Sequence, residues 1–237
     1  MAIAYNSTSI INEQAASSTT LTWAHTCNAS DTKLVVVAGG RQTISGITYN
    51  GVAMTVIATE TSGYEKNALY YLDSPATGSA YNIVVTYSSS SDFRTGLAIG
   101  LSGAMAGVGN STTQANYSAT TSTLTLTTGT ANSDVLYMMG ANTVDGVTVT
   151  GATEITKNTA NNWAYFGYYE NTTTAGNYAA TIQRGTAANF ASLAVELKIA
   201  VASGPANLKS RSGNVKANIK SMSGNTLANI KSLSGNS

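Results

Sequence analysis

The residues that could do chemistry in this chain are few and far apart. His25 is the only histidine and Cys27 the only cysteine, and they stand together in Trp23-Ala24-His25-Thr26-Cys27. A hydrolase of the Ser-His-Asp kind would have to use His25, because no other imidazole could take the serine proton. Its place at the end of a short β-prone run predicts instead a histidine satisfied by local hydrogen bonds. One imidazole and one thiol also fall short of the three or four protein ligands that a zinc site takes. Cys27 has no partner for an intrachain disulfide and is expected as a small buried hydrophobe. Among the 11 Asp and Glu residues many pairs could serve a glycosidase, yet only Glu170, beside Tyr168-Tyr169, stands in an aromatic setting. We read no catalytic residue, no metal ligand and no cofactor. Neither a phosphate-binding glycine loop nor a basic, aromatic-interleaved patch is present in the body, so nucleotide and nucleic-acid partners are not expected. Surface aromatics bind sugars on many sandwiches, and Trp163, Tyr165, Tyr168 and Tyr169 form the candidate glycan platform. Strand alternation should send about half of them into the core.

The elements that would position these groups are β-strands. Charged residues make up only 10% of the 237, while 13 Tyr and 22 Gly accompany abundant Ser, Thr, Asn and Ala. An exterior of hydroxyls and amides suits an all-β extracellular or virion surface better than a helical cytosolic enzyme. The start, Met-Ala-Ile-Ala-Tyr-Asn-Ser, lacks the basic and apolar regions of a secretory signal. No apolar run approaches the roughly 20 residues that cross a bilayer, so membrane insertion is not expected.

Gly46-Ile-Thr-Tyr-Asn-Gly-Val-Ala-Met54 is the pivot of the chain. Asn50-Gly51 between two β-prone runs predicts a two-residue hairpin turn with positive φ. The phrase returns as Gly146-Val-Thr-Val-Thr-Gly151, with Thr150 in place of Asn50, which argues against the same turn there. The flanks return in the same order. Leu124-Thr125-Leu126 answers Leu21-Thr22-Trp23, Val135–Met138 answers Leu34–Val37, and Tyr168-Tyr169 answers Tyr70-Tyr71. Leu34-Val35-Val36-Val37 is apolar on both faces and reads as a central strand. The expected fold is therefore an all-β, jelly-roll-like β-sandwich built by internal duplication, in a body of residues 1–201 with halves at about 19–103 and 122–200. Residues before Thr20, from Ala58 to Gly63 and from Gly103 to Thr121 read as polar lead-in, loop and link. The core should draw on Leu34, Val36, Ile47, Leu69, Ile83, Val85, Ile99, Leu136, Phe166, Ile182, Leu193 and Val195.

A linker at 202–205 ends the body. Residues 206–237 carry a second repeat, of period 11: Ala206-Asn-Leu-Lys-Ser210, Ala217-Asn-Ile-Lys-Ser221 and Ala228-Asn-Ile-Lys-Ser232, each followed by Ser-Gly-Asn. The Ser-Gly-Asn segments disfavour helix and point to a short β or extended form. All 11 acidic residues precede Pro205, whereas five Lys/Arg and no acid follow it, so a body of about −4 is joined to a tail of +5. Opposite signs within one chain favour self-assembly. The tail carries few apolar residues for its length and is expected to gain order by docking, through Leu208, Lys209, Ile219, Lys220, Met222, Ile230, Lys231 and Leu233.

The phrase Thr48 to Met54, the aromatic strand Ala68 to Leu72 and the turn Pro75 to Gly78 resemble β-sandwich modules of bacterial surface proteins and phage structural proteins. The tail resembles the tandem Ala-Asn-Ile-Lys repeats that end tailed-phage virion proteins. This resemblance implies a non-enzymatic component of a virion (capsid decoration, tail exterior or fibre) whose partners are copies of itself, other virion proteins and a host-surface glycan. The expectations set beside it are a bacterial extracellular adhesin or filament subunit, located at the cell surface, and a carbohydrate-binding module.

Overall fold

The computed structural model describes residues 2–141, 147–158 and 164–200, with the backbone alone for 14–17, 92, 141, 158 and 164–166. Among the described residues the chain is all-β, with thirteen strands and no helix. The first seven are β1 (Ala4–His25), β2 (Lys33–Gly40), β3 (Ile44–Tyr49), β4 (Val52–Ala53), β5 (Thr55–Ser62), β6 (Glu65–Asp73) and β7 (Tyr81–Ser102). The other six are β8 (Ser111–Thr127), β9 (Ser133–Ala141), β10 (Thr148–Thr150), β11 (Thr153–Asn158), β12 (Ala164–Thr172) and β13 (Asn177–Lys198).

β7 is the hub of the first repeat. Its beginning, from Tyr81, pairs with the Thr20–His25 end of β1 and with β3. Its end, from Arg94 to Ser102, pairs with the beginning of β1 and with β2. β6 and β5 continue outward from β2, and β4 from β3. The long strands thus leave one leaflet of a small sandwich and enter the other, and the breaks in β1–β7 register between Gln14 and Thr20 mark the crossing. In the second repeat β13 takes the place of β7, with β8 and β10 beside its beginning and β8 and β9 beside its end; β12 and β11 follow from β9. Apart from β4, which has no counterpart among the described strands of the second repeat, the two sheets have the same neighbours in the same order.

Strand alternation distributes the apolar side chains among three cores. Leu34, Val36 and Ala38 of β2 face Leu21, Trp23, Ile47, Tyr49, Ile83 and Val85 inside the first repeat. Val135, Tyr137 and Met139 of β9 face Leu124, Leu126, Ile182 and Phe190 inside the second. The opposite faces of the same strands meet each other: Val35, Val37, Leu97 and Ile99 pack with Leu136, Met138, Leu193 and Val195. Gly167 lets this seam close, since a Cβ there would lie 3.0 Å from the Ile99 Cδ1. β2 and β9 are buried on both faces for this reason, which is what their unbroken apolar runs require. Eleven of the twelve residues expected in the core are at most 1% exposed; the side chain of Phe166 lies outside the described residues.

Three segments differ from the sequence reading. The supposed lead-in is the first part of β1, the stretch to Gly63 contains most of β5, and the link to Thr121 contains most of β8. The repeats therefore start near Ala4 and Ser111 rather than near 19 and 122. These strands carry Ser, Thr and Asn because much of their side-chain surface faces water, while their backbone groups are satisfied by a neighbour. The true connection is short and is pinned along β13: Met105 N–H donates to the Lys198 carbonyl and Gly109 N–H to the Glu196 carbonyl, both at 2.8 Å.

Candidate functional site

The hairpin at Asn50-Gly51 forms as its sequence demands, with φ of 50° and 74° at the two turn residues. It carries no chemical groups of its own. Among the described residues, a cluster that joins the residue types of a hydrolase lies where β1 runs beside the loop into β2.

His25 is 2% exposed there. Ser7 and Ser9, two apart on one face of β1, stand at its two ring nitrogens: Ser7 Oγ lies 3.4 Å from Nε2 and Ser9 Oγ 2.9 Å from Nδ1. The Trp23 indole N–H donates to Ser9 Oγ at 2.9 Å, and Ser7 Oγ donates to Asp31 Oδ2 at 3.2 Å. Ser7 spends its one proton on the Asp31 carboxylate and can only accept from Nε2–H, and a neutral ring protonated at Nε2 leaves Nδ1 as an acceptor. Ser9 O–H donates to Nδ1, and the Nε2–H donates to Ser7. The imidazole is neutral in this arrangement. Burial pushes its pKa down to about 4, against the opposing pull of Asp31.

The cluster holds Ser, His and Asp in an order unlike that of a hydrolytic triad. There the carboxylate orients the imidazole through Nδ1 and the imidazole accepts the serine proton. Here Asp31 holds Ser7, Ser9 occupies Nδ1, and the Ser7 proton points to Asp31. Asn6 Nδ2 and the Asn28 N–H also donate to Asp31, at 2.6 and 2.8 Å, which ties the loop to β1. Gly100 makes the room, since a Cβ on it would lie 2.3 Å from both Asp31 Oδ2 and Ser7 Oγ. His25 is thus satisfied by local hydrogen bonds, as its strand-end position predicted. Cys27 is fully buried, and burial pushes its thiol up to about 11.

Two residues of the expected glycan platform, Tyr168 and Tyr169, lie on opposite faces of β12. Tyr168 is 5% exposed and belongs to the core of the second repeat, with its hydroxyl on Glu154 Oε2 at 3.0 Å. Tyr169 points to the opposite face and stacks on Tyr5, ring centroids 4.6 Å apart. Adjacent strand residues face opposite ways, which separates the pair. Trp163 and the side chain of Tyr165 lie outside the described residues, as do all the tail residues from Leu208 to Leu233. Glu170, the carboxylate singled out beside these tyrosines, accepts from the Tyr137 hydroxyl at 3.2 Å, and burial raises its pKa.

Sequence reasoning missed several groups. Ser7 and Ser9 carried the period-two signal of a strand face, hidden within a stretch read as lead-in. Glu65 is 1% exposed, with neither oxygen hydrogen-bonded among the described residues. Burial pushes its carboxyl up to about 9, with the charge of Arg184 from the other repeat acting the other way. No local pattern pairs residues so far apart in sequence. Among the described residues no group of three or more His, Cys, Asp or Glu could hold a metal ion.

The fold defines a class: a duplicated, all-β, sandwich-like protein. No protein-family model matches the chain, and a search of curated proteins finds no match.

Proposed function

We propose that this chain is a non-enzymatic structural protein of a phage particle, serving as capsid decoration, tail exterior or fibre component. Its double sandwich is the exposed body, and the repeats at 206–237 dock on neighbouring subunits. The observation that carries this reading is the division of labour along the chain. The body builds its three cores from its own strands, whereas the basic tail repeats one short phrase three times at a period of 11. A repeated phrase of opposite charge to its own body suits repeated contacts with identical neighbours. The buried, structurally committed His25 supports a role without catalysis.

The test is removal of residues 206–237. The truncated chain should remain soluble and folded, judged by near-UV circular dichroism, and should no longer co-sediment with particles assembled in the host. Normal incorporation of the truncated chain would rule the reading out. Recovery of the full chain with cells rather than particles would instead favour a bacterial surface subunit.

A further inference from the structure

The open side of the first repeat is apolar. A groove of about 500 Å³ lies there, lined in part by Ile47, Met54, Val56 and Tyr70. Val56 at its rim is 51% exposed. Two sheet edges border it: β4, only two residues long, and β5, which pairs with β6 alone. Proteins guard such edges with charge, proline or a bulge. Along β5 the stretch Thr55-Val56-Ile57-Ala58-Thr59 has no charge and no proline, with a bulge between Val56 and Ala58 and the strand's one charge, Glu60, just beyond it. The matching edge of the second repeat, β11, is guarded by Glu154 and Lys157, which form a half-exposed ion pair at 3.2 Å. The two edges share a bulge, and they differ in that Val56 and Thr59 of β5 stand where β11 has Glu154 and Lys157.

We propose that this groove seats one tail repeat of a second copy of the chain, added as an extra strand along the free edge of β5. The inference rests on the assembly reading above and names the place where the tail binds. Laid out as a strand, a repeat turns Ala217, Ile219 and Ser221 to one face and Asn218 and Lys220 to the other. The first face, small on both sides of one branched residue, fits a hollow floored by Ile47 and Tyr70; the second leaves the lysine beside water and the net acidic body. Ala206-Leu208-Ser210 and Ala228-Ile230-Ser232 offer the same face. The 36 residues from 202 to 237 could reach roughly 120 Å fully extended, enough to meet a neighbouring body. Main-chain pairing would supply affinity, and the single apolar anchor would supply register.

The experiment uses the full chain. Val56→Lys changes an exposed rim residue, so the fold should survive, while the concentration at which the protein self-associates in sedimentation velocity should rise about tenfold or more. Leu208→Asp, Ile219→Asp and Ile230→Asp combined should do the same from the other side. As a second readout, chains carrying Val56→Cys are mixed with chains carrying Ile219→Cys under oxidising conditions, and a cross-linked heterodimer is expected. If the tail variant fails to associate while Val56→Lys associates normally and no heterodimer forms, the groove is not the seat and only this inference falls. If all variants associate like the unaltered chain, the assembly reading falls with it. A chain carrying both cysteines that closes only on itself would overturn the second copy as occupant.

Discussion

The two repeats put a carboxylate at the same place in the fold and deliver it from opposite sides. In the first, Gly100 on β7 faces Leu34 on β2, and Asp31 from the loop before β2 fills the space over the glycine. In the second, the residue paired with Val135 of β9 is Glu196 on β13, and it reaches outward to the loop. Asn110 N–H, Gly129 N–H and Thr130 N–H donate to it at 3.1, 3.1 and 2.9 Å, along with the Thr130 hydroxyl. The neighbouring site inverts in the same manner. Lys33 on β2 is fully buried against Asp73 of β6, whereas its counterpart Asp134 on β9 accepts from Asn171 of β12 at 2.7 Å and from Tyr5 of the first repeat at 3.0 Å. What the duplication holds constant is a requirement, that the loop entering each central strand be tied down by a buried anion. The residue that meets it is free to change sides. The first repeat answers with a loop acid that also organises His25, and the second with a strand acid that needs no histidine.

The largest effect should come from the seam that both repeats share. Leu136→Ala removes a fully buried side chain from it and should cost about 2 to 5 kcal/mol in urea unfolding. Because the seam joins the repeats, a single cooperative transition should become two or shift as a whole. A cost below about 1 kcal/mol would mean that the halves stand independently and that their comparison is one between separate domains.

Acid should then separate the repeats. Burial lowers the folded pKa of His25 to about 4 from its ordinary 6.5, so the unfolded chain binds its proton first and stability is lost as pH falls from about 6.5 to 4. Glu196 has its folded pKa lowered by the Thr130 hydroxyl and three backbone N–H groups, which together outweigh the upward push of burial. Its contribution persists lower and fades only as pH falls below the ordinary carboxyl range. Glu65 acts with the opposite sign, gaining stability as pH falls from about 9, so total stability is the wrong readout. The difference between the unaltered chain and His25→Asn isolates the histidine. It should change by about 1.4 kcal/mol per pH unit within that window and be flat above pH 7. A flat difference throughout would show that the imidazole is not held neutral by its serines.

The smallest expected effect compares the two turns. Gly51 has φ of 74° with open space around it, so Gly51→Val should cost about 1 to 3 kcal/mol through backbone strain alone. Thr150 does not occupy the left-handed region and ends β10, so Thr150→Val should stay within about 0.5 kcal/mol. Equal costs would remove this difference between the repeats.

Much of the fold was legible because it rests on local signals. Leu34–Val37 and Val135–Met138 announced strands buried on both faces, and Asn50-Gly51 announced its turn. The first part of β1 and most of β8 were not legible, since Ser, Thr and Asn on a half-exposed strand look like loop when no apolar face marks them. The candidate site was legible only in part. His25 pointed to local hydrogen bonds, but Ser7, Ser9 and Asp31 are brought to it by the pairing of β1 with β7, a contact between the ends of a hundred-residue segment. The separation of Tyr168 from Tyr169 followed from alternation, whereas the burial of Glu65 near Arg184 depends on packing between repeats.

The place of β1 also has a consequence for synthesis. Ala4 lies opposite Ser102, and His25 opposite Tyr81, so the first strand made finds its partner only when the last strand of the repeat appears. At about 5 to 20 residues per second, the beginning of the chain waits several seconds outside the ribosome with its backbone groups answered by water alone. Its closure must then bridge nearly the whole repeat, the kind of long-range pairing that sets folding times of milliseconds to seconds. The hydroxyl-rich, weakly apolar character of residues 4–20, which hid the strand from a reading of the sequence, is the same property that keeps the waiting segment from clumping with its neighbours on the polysome.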